Sequence, residues 1–237
     1  FALLRREEAR STGLFLVARP KKCCAKQNVP FCQLKFLQNQ MIKNIIIDFG
    51  NVIYKVDLLA AHKKFYEIAK SNGLLLDFNL LNGIIDKYEC GKINTIEFRD
   101  SIRNLLGWEA SDEEFDLVWN SILIEPFEYS EEAINKLAEK YNLFLLSNTS
   151  PLHFDRFFPE MKPVFDKFKK LYFSFEIGYK KPSAQIYKHT LFDAQIIAQE
   201  TMFLDDIQEN IDMFALLGVR GLQISEKFTL KDFALSF

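Results

Sequence analysis

Three isoleucines followed by an aspartate, at residues 45–48, constrain the fold more than any other feature of this chain. The apolar stretch is continuous rather than alternating, which is typical of a strand buried on both faces of a parallel sheet. Asp48 then stands at the carboxyl end of that strand, where open α/β sheets bind their ligands. Aspartate is also a common turn residue after a strand. The run alone favours a functional carboxylate and a structural turn about equally.

The size and charge of the chain limit its class. A chain of 237 residues with 49% hydrophobic residues can bury a large core, either as one domain or as a core with a smaller insert. Residues 1–40 carry eight Lys or Arg and two Glu, which leaves 22 basic and 30 acidic residues beyond them. An acidic main body argues against a nucleic-acid partner.

The first forty residues show no sustained periodicity, and we expect residues 1–40 to be a disordered or extraneous extension before Met41. Their apolar run at 14–18 is too short for a signal peptide. Their arginines leave an organellar transit peptide as an alternative, although two glutamates in the same stretch count against it.

The cysteines predict neither a disulfide framework nor a metal site. Cys23, Cys24 and Cys32 lie in the extension without a fourth ligand at zinc-finger spacing, and Cys90 alone belongs to the main body. Free thiols are typical of a reducing compartment. We therefore expect a cytoplasmic protein without a membrane partner.

An inserted helical unit is predicted at residues 57–128. Asp57 is a candidate cap for a helix over 58–70, and Ser111 with Glu114 has the spacing of a capping box. Gly107 is placed to end a preceding helix. The insert would divide the remaining body into 41–56 and 129–237.

Helix and strand patterns alternate beyond residue 131, which indicates a parallel sheet with helices on both faces, a Rossmann-like α/β core. The strand-like runs end in polar residues at Ser147 and at Asp205-Asp206, as the first run ends at Asp48. Because carboxyl ends of parallel strands meet at one edge, we expect these side chains to converge.

Three carboxylates at one sheet edge would repel one another and have raised pKa values unless a cation neutralised them. Mg²⁺ is the natural partner of Asp48, Asp205 and Asp206, because it prefers oxygen ligands and completes its shell with water and phosphate. The alternative is that one aspartate of the pair caps the helix that begins near Glu209.

Candidate phosphate ligands follow the second strand. Ser147 and Asn148 precede a helix and offer hydroxyl, amide and backbone donors to a phosphate, although an ordinary polar turn has the same composition. Lys181 can supply a positive charge, with Lys180 as its solvated neighbour. His153 is a weaker candidate for a substrate contact.

Four segments, taken in order, resemble the four motifs of the haloacid dehalogenase-like hydrolases. They are DFGNV from Asp48, LSNT from Leu146, GYKKP from Gly178 and FLDD from Phe203. The insert is similar to the helical cap of the subgroup that contains beta-phosphoglucomutase and the bacterial alpha-D-glucose-1-phosphate phosphatases, and the latter are the more similar. One such motif alone is weak evidence for this family, whereas all four motifs in this order and at these spacings are specific for it.

The resemblance implies a magnesium-dependent phosphatase that acts on a small phosphorylated metabolite. Sugar phosphates, including anomeric sugar phosphates, are candidate substrates. Asp48 would attack phosphorus and form an aspartyl-phosphate. The metal would be held by Asp48, the backbone carbonyl of Gly50 and Asp206, with Asp205 bound directly or through water. Lys181 would offset the developing charge as a catalytic and phosphate-binding residue.

One position departs from the family pattern. Most phosphatases of this family have an aspartate two residues after the nucleophile as general acid and base, and this chain has Gly50. Alternatives therefore stay open: a catalytically weakened binding protein, or a mutase or dehalogenase reaction on the same scaffold. Loss of a general acid costs about 10²- to 10⁴-fold, which slows an enzyme without abolishing its chemistry.

Overall fold

The computed structural model describes residues 42–236. The strands within this range are β1 Asn44–Ile47, β2 Tyr54–Val56, β3 Leu123–Pro126, β4 Asn142–Ser147, β5 Lys170–Phe173, β6 Thr201–Asp205 and β7 Arg220–Gln223. Five of them form a parallel sheet in the order β5-β4-β1-β6-β7. The predicted parallel α/β core is therefore confirmed.

The helices of the same range lie between and around these strands. They are α1 Ala60–Ser71, α2 Phe78–Glu89, α3 Thr95–Leu106, α4 Asp112–Trp119, α5 Ser130–Ala138, α6 Pro151–Phe165, α7 Ser174–Ile177, α8 Ala184–Asp193, α9 Gln208–Ala215 and α10 Leu230–Leu235. Two 3₁₀ turns occur at Asn120–Ile122 and Ala198–Glu200. None of the helices in 42–236 has the length and apolarity that a membrane crossing requires.

Helices cover both faces of the main sheet, which explains the continuous apolar runs. Ile45 and Ile47 pack with residues of α5, α6 and α10, whereas Ile46 packs on the opposite face with residues of α8 and α9. All three isoleucines are fully buried. Neither face of β1 meets water at Ile45, Ile46 and Ile47, so a polar side chain there without a hydrogen-bond partner would be costly.

The carboxyl edge of the sheet gathers the polar residues that follow the strands. Asp48 comes directly after β1, and its backbone N–H donates to Leu204 O at 2.8 Å, which extends the pairing with β6 by one step. Ser147 and Asp205 are the last residues of β4 and β6, the two strands that flank β1. This arrangement places the three side chains side by side.

The expectation that residues 57–128 are helical throughout is wrong at one point. Strands β2 and β3, which precede and follow the four helices α1 to α4 in the chain, form an antiparallel pair with Tyr54 opposite Pro126. Strands of three and four residues are too short for alternation to distinguish from a helix end. The four helices bury an aromatic cluster of their own, and we propose to treat 57–128 as a cap domain.

Local signals at the helix ends are mostly confirmed. Ser111 and Glu114 form the capping box of α4, and Gly107 ends α3 in the left-handed conformation with φ of 58°. Asp57 does not cap a helix that begins at 58, because its Oδ1 accepts from Leu59 N at 3.0 Å in a turn and α1 begins at Ala60. The predictions for residues 1–40 lie outside the described residues.

Candidate active site

Three carboxylates meet at the carboxyl edge of the sheet, as the sequence predicts. One oxygen from each of Asp48, Asp205 and Asp206 lies within 4.8 Å of the others. Asp48 and Asp205 are buried, and Asp206 is partly exposed. Such crowding is unfavourable for three ionised groups unless cations lie among them.

Lys181 is one such cation. Its Nζ donates to Asp48 Oδ1 at 2.5 Å and to Asp205 Oδ2 at 2.7 Å, and the whole side chain is buried. Burial would lower the pKa of Lys181, but the carboxylates of Asp48 and Asp205 outweigh it and raise the pKa. Lys181 therefore stays charged and balances one of the three negative charges.

Asp205 and Asp206 have different surroundings. Asp205 Oδ1 accepts from Ile207 N at 2.8 Å and from Asn210 Nδ2 at 2.9 Å, and its Oδ2 accepts from Lys181. Asp206 instead borders an open cavity. Helix α9 has Ile207 as its N-cap residue, so neither aspartate of the pair caps it. Asp206 is thus the better placed of the two for direct contact with a ligand.

The donor set fits a hard divalent cation. Burial raises the pKa of Asp48 to about 7, with Asp205 and Asp206 adding to the rise against the opposing effect of Lys181. Burial, and then the charge of Asp205, also raise the pKa of Asp206. A cation beside these oxygens would reverse both shifts. Carboxylate and carbonyl oxygens are the ligands that Mg²⁺ prefers.

The predicted phosphate loop, residues 147–150, begins at the last residue of β4 and lies beside this cluster. Ser147 is buried, and its Oγ lies 3.4 Å from Asn148 O. Asn148 exchanges two hydrogen bonds with the backbone of Lys181: its Nδ2 donates to Lys181 O at 2.9 Å, and its Oδ1 accepts from Lys181 N at 2.8 Å. The side chain of Asn148 therefore positions Lys181, and its contact with phosphate stays a prediction.

The phosphate loop is held from two sides. Ser174, which no sequence pattern marked, accepts from Thr149 N and donates to Thr149 O, both at 3.0 Å. On the other side Trp119 Nε1 donates to Ser150 Oγ at 3.1 Å, and Leu152 packs within the aromatic cluster of α1 to α4. The proposed cap thus contacts the segment that carries Ser147 and Asn148.

His153 belongs to this junction and does not line the cavity. Its ring stacks on Trp119 at a centroid distance of 4.6 Å, and its Nε2 lies 3.1 Å from Trp119 O. Burial lowers the pKa of His153 from 6.5 to about 4, although the hydrogen bond to Trp119 opposes the shift. The ring is therefore neutral in the folded protein and acts as a packed core group.

This burial predicts a pH dependence of stability. Between pH 6.5 and about 4 the unfolded chain binds a proton at His153 and the folded chain does not, so the free energy of unfolding should decrease as the pH falls. One pKa unit is worth about 1.4 kcal/mol, so the decrease over this window should be roughly 3 kcal/mol. Chemical denaturation of wild type and His153→Gln at several pH values measures it. If the free energy of unfolding of His153→Gln decreased with pH as steeply as that of wild type, the pH dependence could not be assigned to His153.

An open cavity of about 240 Å³ lies against the carboxylates. It is lined by Asp48, Gly50, Asn51, Val56, Leu58, Glu89, Asn148, Lys180, Lys181, Asp206, Ile207 and Asn210. A Cβ atom at Gly50 would lie 4.0 Å from Asp48 Oδ2 and 3.3 Å from Val56 Cγ2. A side chain at position 50 would therefore begin within van der Waals distance of the second carboxylate oxygen of Asp48.

The interpretation of Lys180 as a solvated neighbour is wrong. Its Nζ donates to Glu89 Oε2 at 2.8 Å and to Asp86 Oδ1, both on α2. Burial would lower the pKa of Lys180, but the two carboxylates outweigh it and raise the pKa. These partners are more than ninety positions away in the sequence, so no local pattern could have revealed them.

Comparison with known proteins gives a consistent family. A family profile described as haloacid dehalogenase-like hydrolase matches residues 42–218. A D-ribitol-5-phosphate phosphatase from Bacteroides thetaiotaomicron is 34% identical over 189 residues, which is 77% of this chain and 92% of the relative.

Solved structures agree with this similarity. A haloacid dehalogenase family enzyme from Bacteroides thetaiotaomicron, in complex with magnesium and inorganic phosphate, is 35% identical with a TM-score of 0.70, covering 78% of this chain and 94% of its own. A predicted hydrolase of the same family from Porphyromonas gingivalis is 27% identical with a TM-score of 0.67, covering 77% and 91%.

Proposed function

This chain belongs to the haloacid dehalogenase-like hydrolase family, and we propose that it is a magnesium-dependent phosphatase of a small phosphorylated metabolite such as a sugar phosphate. One observation carries the proposal. Asp48, which borders an open cavity together with the carboxylate of Asp206, has its Oδ1 2.5 Å from Nζ of the buried Lys181 and lies beside the carboxylate of Asp205. A carboxylate held in this way is suited to attack phosphorus. The relative's substrate, a polyol phosphate, belongs to the proposed class.

The proposed reaction has two steps, and Asp48 is the nucleophile of the first. A carboxylate oxygen of Asp48 forms a bond to phosphorus as the bond from phosphorus to the substrate oxygen breaks. That oxygen leaves with the bonding electrons and takes its proton from water. Water then attacks the phosphorus of the aspartyl-phosphate, which restores Asp48 and releases inorganic phosphate. Lys181 keeps Asp48 Oδ1 in position and offsets the charge of the transferring group.

Asp48, Asp206 and the backbone carbonyl of Gly50 would hold Mg²⁺, with Asp205 bound directly or through water, and the bound ion supplies positive charge to the phosphoryl oxygens. Ser147 and the backbone of Asn148 are the proposed phosphate ligands.

The absence of an acidic side chain at Gly50 suggests which substrates turn over fastest. Without a group to protonate the departing oxygen, the rate should depend on how well that oxygen bears negative charge. An anomeric hydroxyl is more acidic than a primary alcohol, so we propose a preference for anomeric over primary alkyl phosphates. D-ribitol 5-phosphate, for which the bacterial relative is named, is a primary alkyl phosphate and is the natural competitor in an assay.

A substrate panel tests the proposed function. Inorganic phosphate released from p-nitrophenyl phosphate, glucose 1-phosphate, glucose 6-phosphate and D-ribitol 5-phosphate is measured with Mg²⁺ and with a chelator. We expect turnover that requires Mg²⁺, because the carboxylate cluster is built for a cation. Magnesium binding without turnover of any of the four compounds would instead support a catalytically weakened binding protein.

A further inference from the structure

A pair of charged residues borders the cavity without a role in the proposed reaction. Glu89, the last residue of α2, and Lys180 both line the cavity wall and are joined at 2.8 Å. Their side chains are 20% and 30% exposed, so solvent reaches them only in part. Glu89 comes from the proposed cap and Lys180 from the core.

Lys180 is not a second phosphate-binding cation. Its ammonium group already contacts two carboxylates, Glu89 and Asp86, so the three groups together carry a net negative charge. A group of residues with a net negative charge does not attract a phosphate dianion. If the pair contacts a substrate, it therefore contacts an uncharged part of it.

Unused hydrogen-bonding capacity remains on both members. An ammonium group has three N–H donors, and Lys180 commits two of them to Glu89 and Asp86. Among residues 42–236, Lys180 is the hydrogen-bond donor to the carboxylate of Glu89, and it contacts Oε2, which leaves Oε1 open. A donor and an acceptor thus lie side by side at the cavity wall, a combination that matches adjacent hydroxyl groups.

We propose that Glu89 and Lys180 form a hydroxyl-binding subsite for the leaving group, selecting polyhydroxylated phosphates over aryl phosphates. The proposal rests on the proposed phosphatase function. Glu89 Oε1 accepts a hydrogen bond from one hydroxyl, and the remaining N–H of Lys180 donates to its neighbour. The apolar side chains of Val56 and Leu58 line the same cavity and give the carbon chain its contact surface.

Asp86 provides a matched control within the same ion-pair group. It contacts the same ammonium group as Glu89 and lies on the same helix, but it is 57% exposed and does not line the cavity. If the carboxylates act only by docking α2 onto the core, removal of either should have the same effect. If Glu89 binds hydroxyls, only the removal of Glu89 should change the ratio of activity on a polyol phosphate to activity on an aryl phosphate.

The experiment compares kcat/KM for D-ribitol 5-phosphate and p-nitrophenyl phosphate in wild type, Glu89→Ala, Glu89→Gln and Asp86→Ala. We expect Glu89→Ala to lower the value for the polyol phosphate by about 10-fold or more, in line with a lost charge-assisted hydrogen bond, and to leave the aryl phosphate within about twofold. Glu89→Gln keeps one acceptor oxygen but loses the charge and the second acceptor, so it should recover only part of the loss. Asp86→Ala should leave the ratio of the two substrates unchanged.

Two results would overturn the subsite: equal losses on both substrates in Glu89→Ala, or the same discrimination in Asp86→Ala. Failure of the proposed function has a different signature, because wild type would then hydrolyse neither compound in the presence of Mg²⁺, and the subsite would be overturned with it. Thermal melts of the variants establish that each is folded.

Discussion

Replacement of Asp48 with asparagine is expected to eliminate phosphate release while the fold persists. The amide has the shape of the carboxylate and its oxygen can still accept from Lys181, which now lies 2.5 Å away. It cannot act as the nucleophile, and loss of a nucleophile costs on the order of 10⁴-fold or more in kcat. Phosphate release from p-nitrophenyl phosphate, followed over hours at saturating Mg²⁺, measures the loss.

Asp206→Asn is the matched control for this substitution. It makes the same carboxylate-to-amide change within the same cluster, at a position proposed to hold the metal and not to attack phosphorus. Its activity should recover in part as Mg²⁺ is raised, because a weakened site is refilled by mass action. Asp48→Asn should not recover. Appreciable turnover by Asp48→Asn, or its rescue by Mg²⁺, would refute the covalent mechanism.

The main sheet could be predicted from the sequence because its signal is local. A strand buried on both faces needs an unbroken apolar run, and Ile45, Ile46 and Ile47 supply one. The convergence of Asp48, Ser147 and Asp205 then follows from geometry alone, since parallel strands bring their carboxyl ends to one edge. No knowledge of the tertiary contacts is needed for this step.

The parts of the candidate site that could not be predicted from the sequence depend on contacts between distant segments. Ser174 braces Thr149, and Asn148 positions Lys181, through hydrogen bonds that a polar turn composition does not specify. Glu89 meets Lys180 across 91 positions of sequence. Such pairings depend on how the helical insert packs on the core, and the periodicity of a helix indicates which face is buried but not against what.

Gly50 leads to the second large expected effect. If leaving-group acidity governs the rate, wild type should hydrolyse glucose 1-phosphate faster than glucose 6-phosphate, because the first releases an anomeric hydroxyl and the second a primary alcohol. Gly50→Asp should narrow this preference by accelerating the 6-phosphate. A general acid contributes about 10²- to 10⁴-fold, and a newly installed one should reach the lower end of that range.

The structure permits this substitution. Gly50 borders the cavity, and a Cβ atom there would lie 4.0 Å from Asp48 Oδ2, with Val56 Cγ2 at 3.3 Å as the nearest obstacle. A small shift of one methyl group would relieve that contact. An aspartate at this position would therefore lie beside the nucleophile, which is where a proton donor for the departing oxygen is needed.

Gly50→Asn separates the effect of proton donation from the effect of side-chain volume. Asparagine fills the same volume and meets the same Val56 methyl group, but its amide does not donate a proton to an alkoxide at neutral pH. If the gain on glucose 6-phosphate comes from proton donation, Gly50→Asp should show it and Gly50→Asn should not. Measurement of kcat for both sugar phosphates in the three proteins decides the question. An equal or reversed preference in wild type would mean that substrate binding, and not the acidity of the leaving hydroxyl, governs the choice.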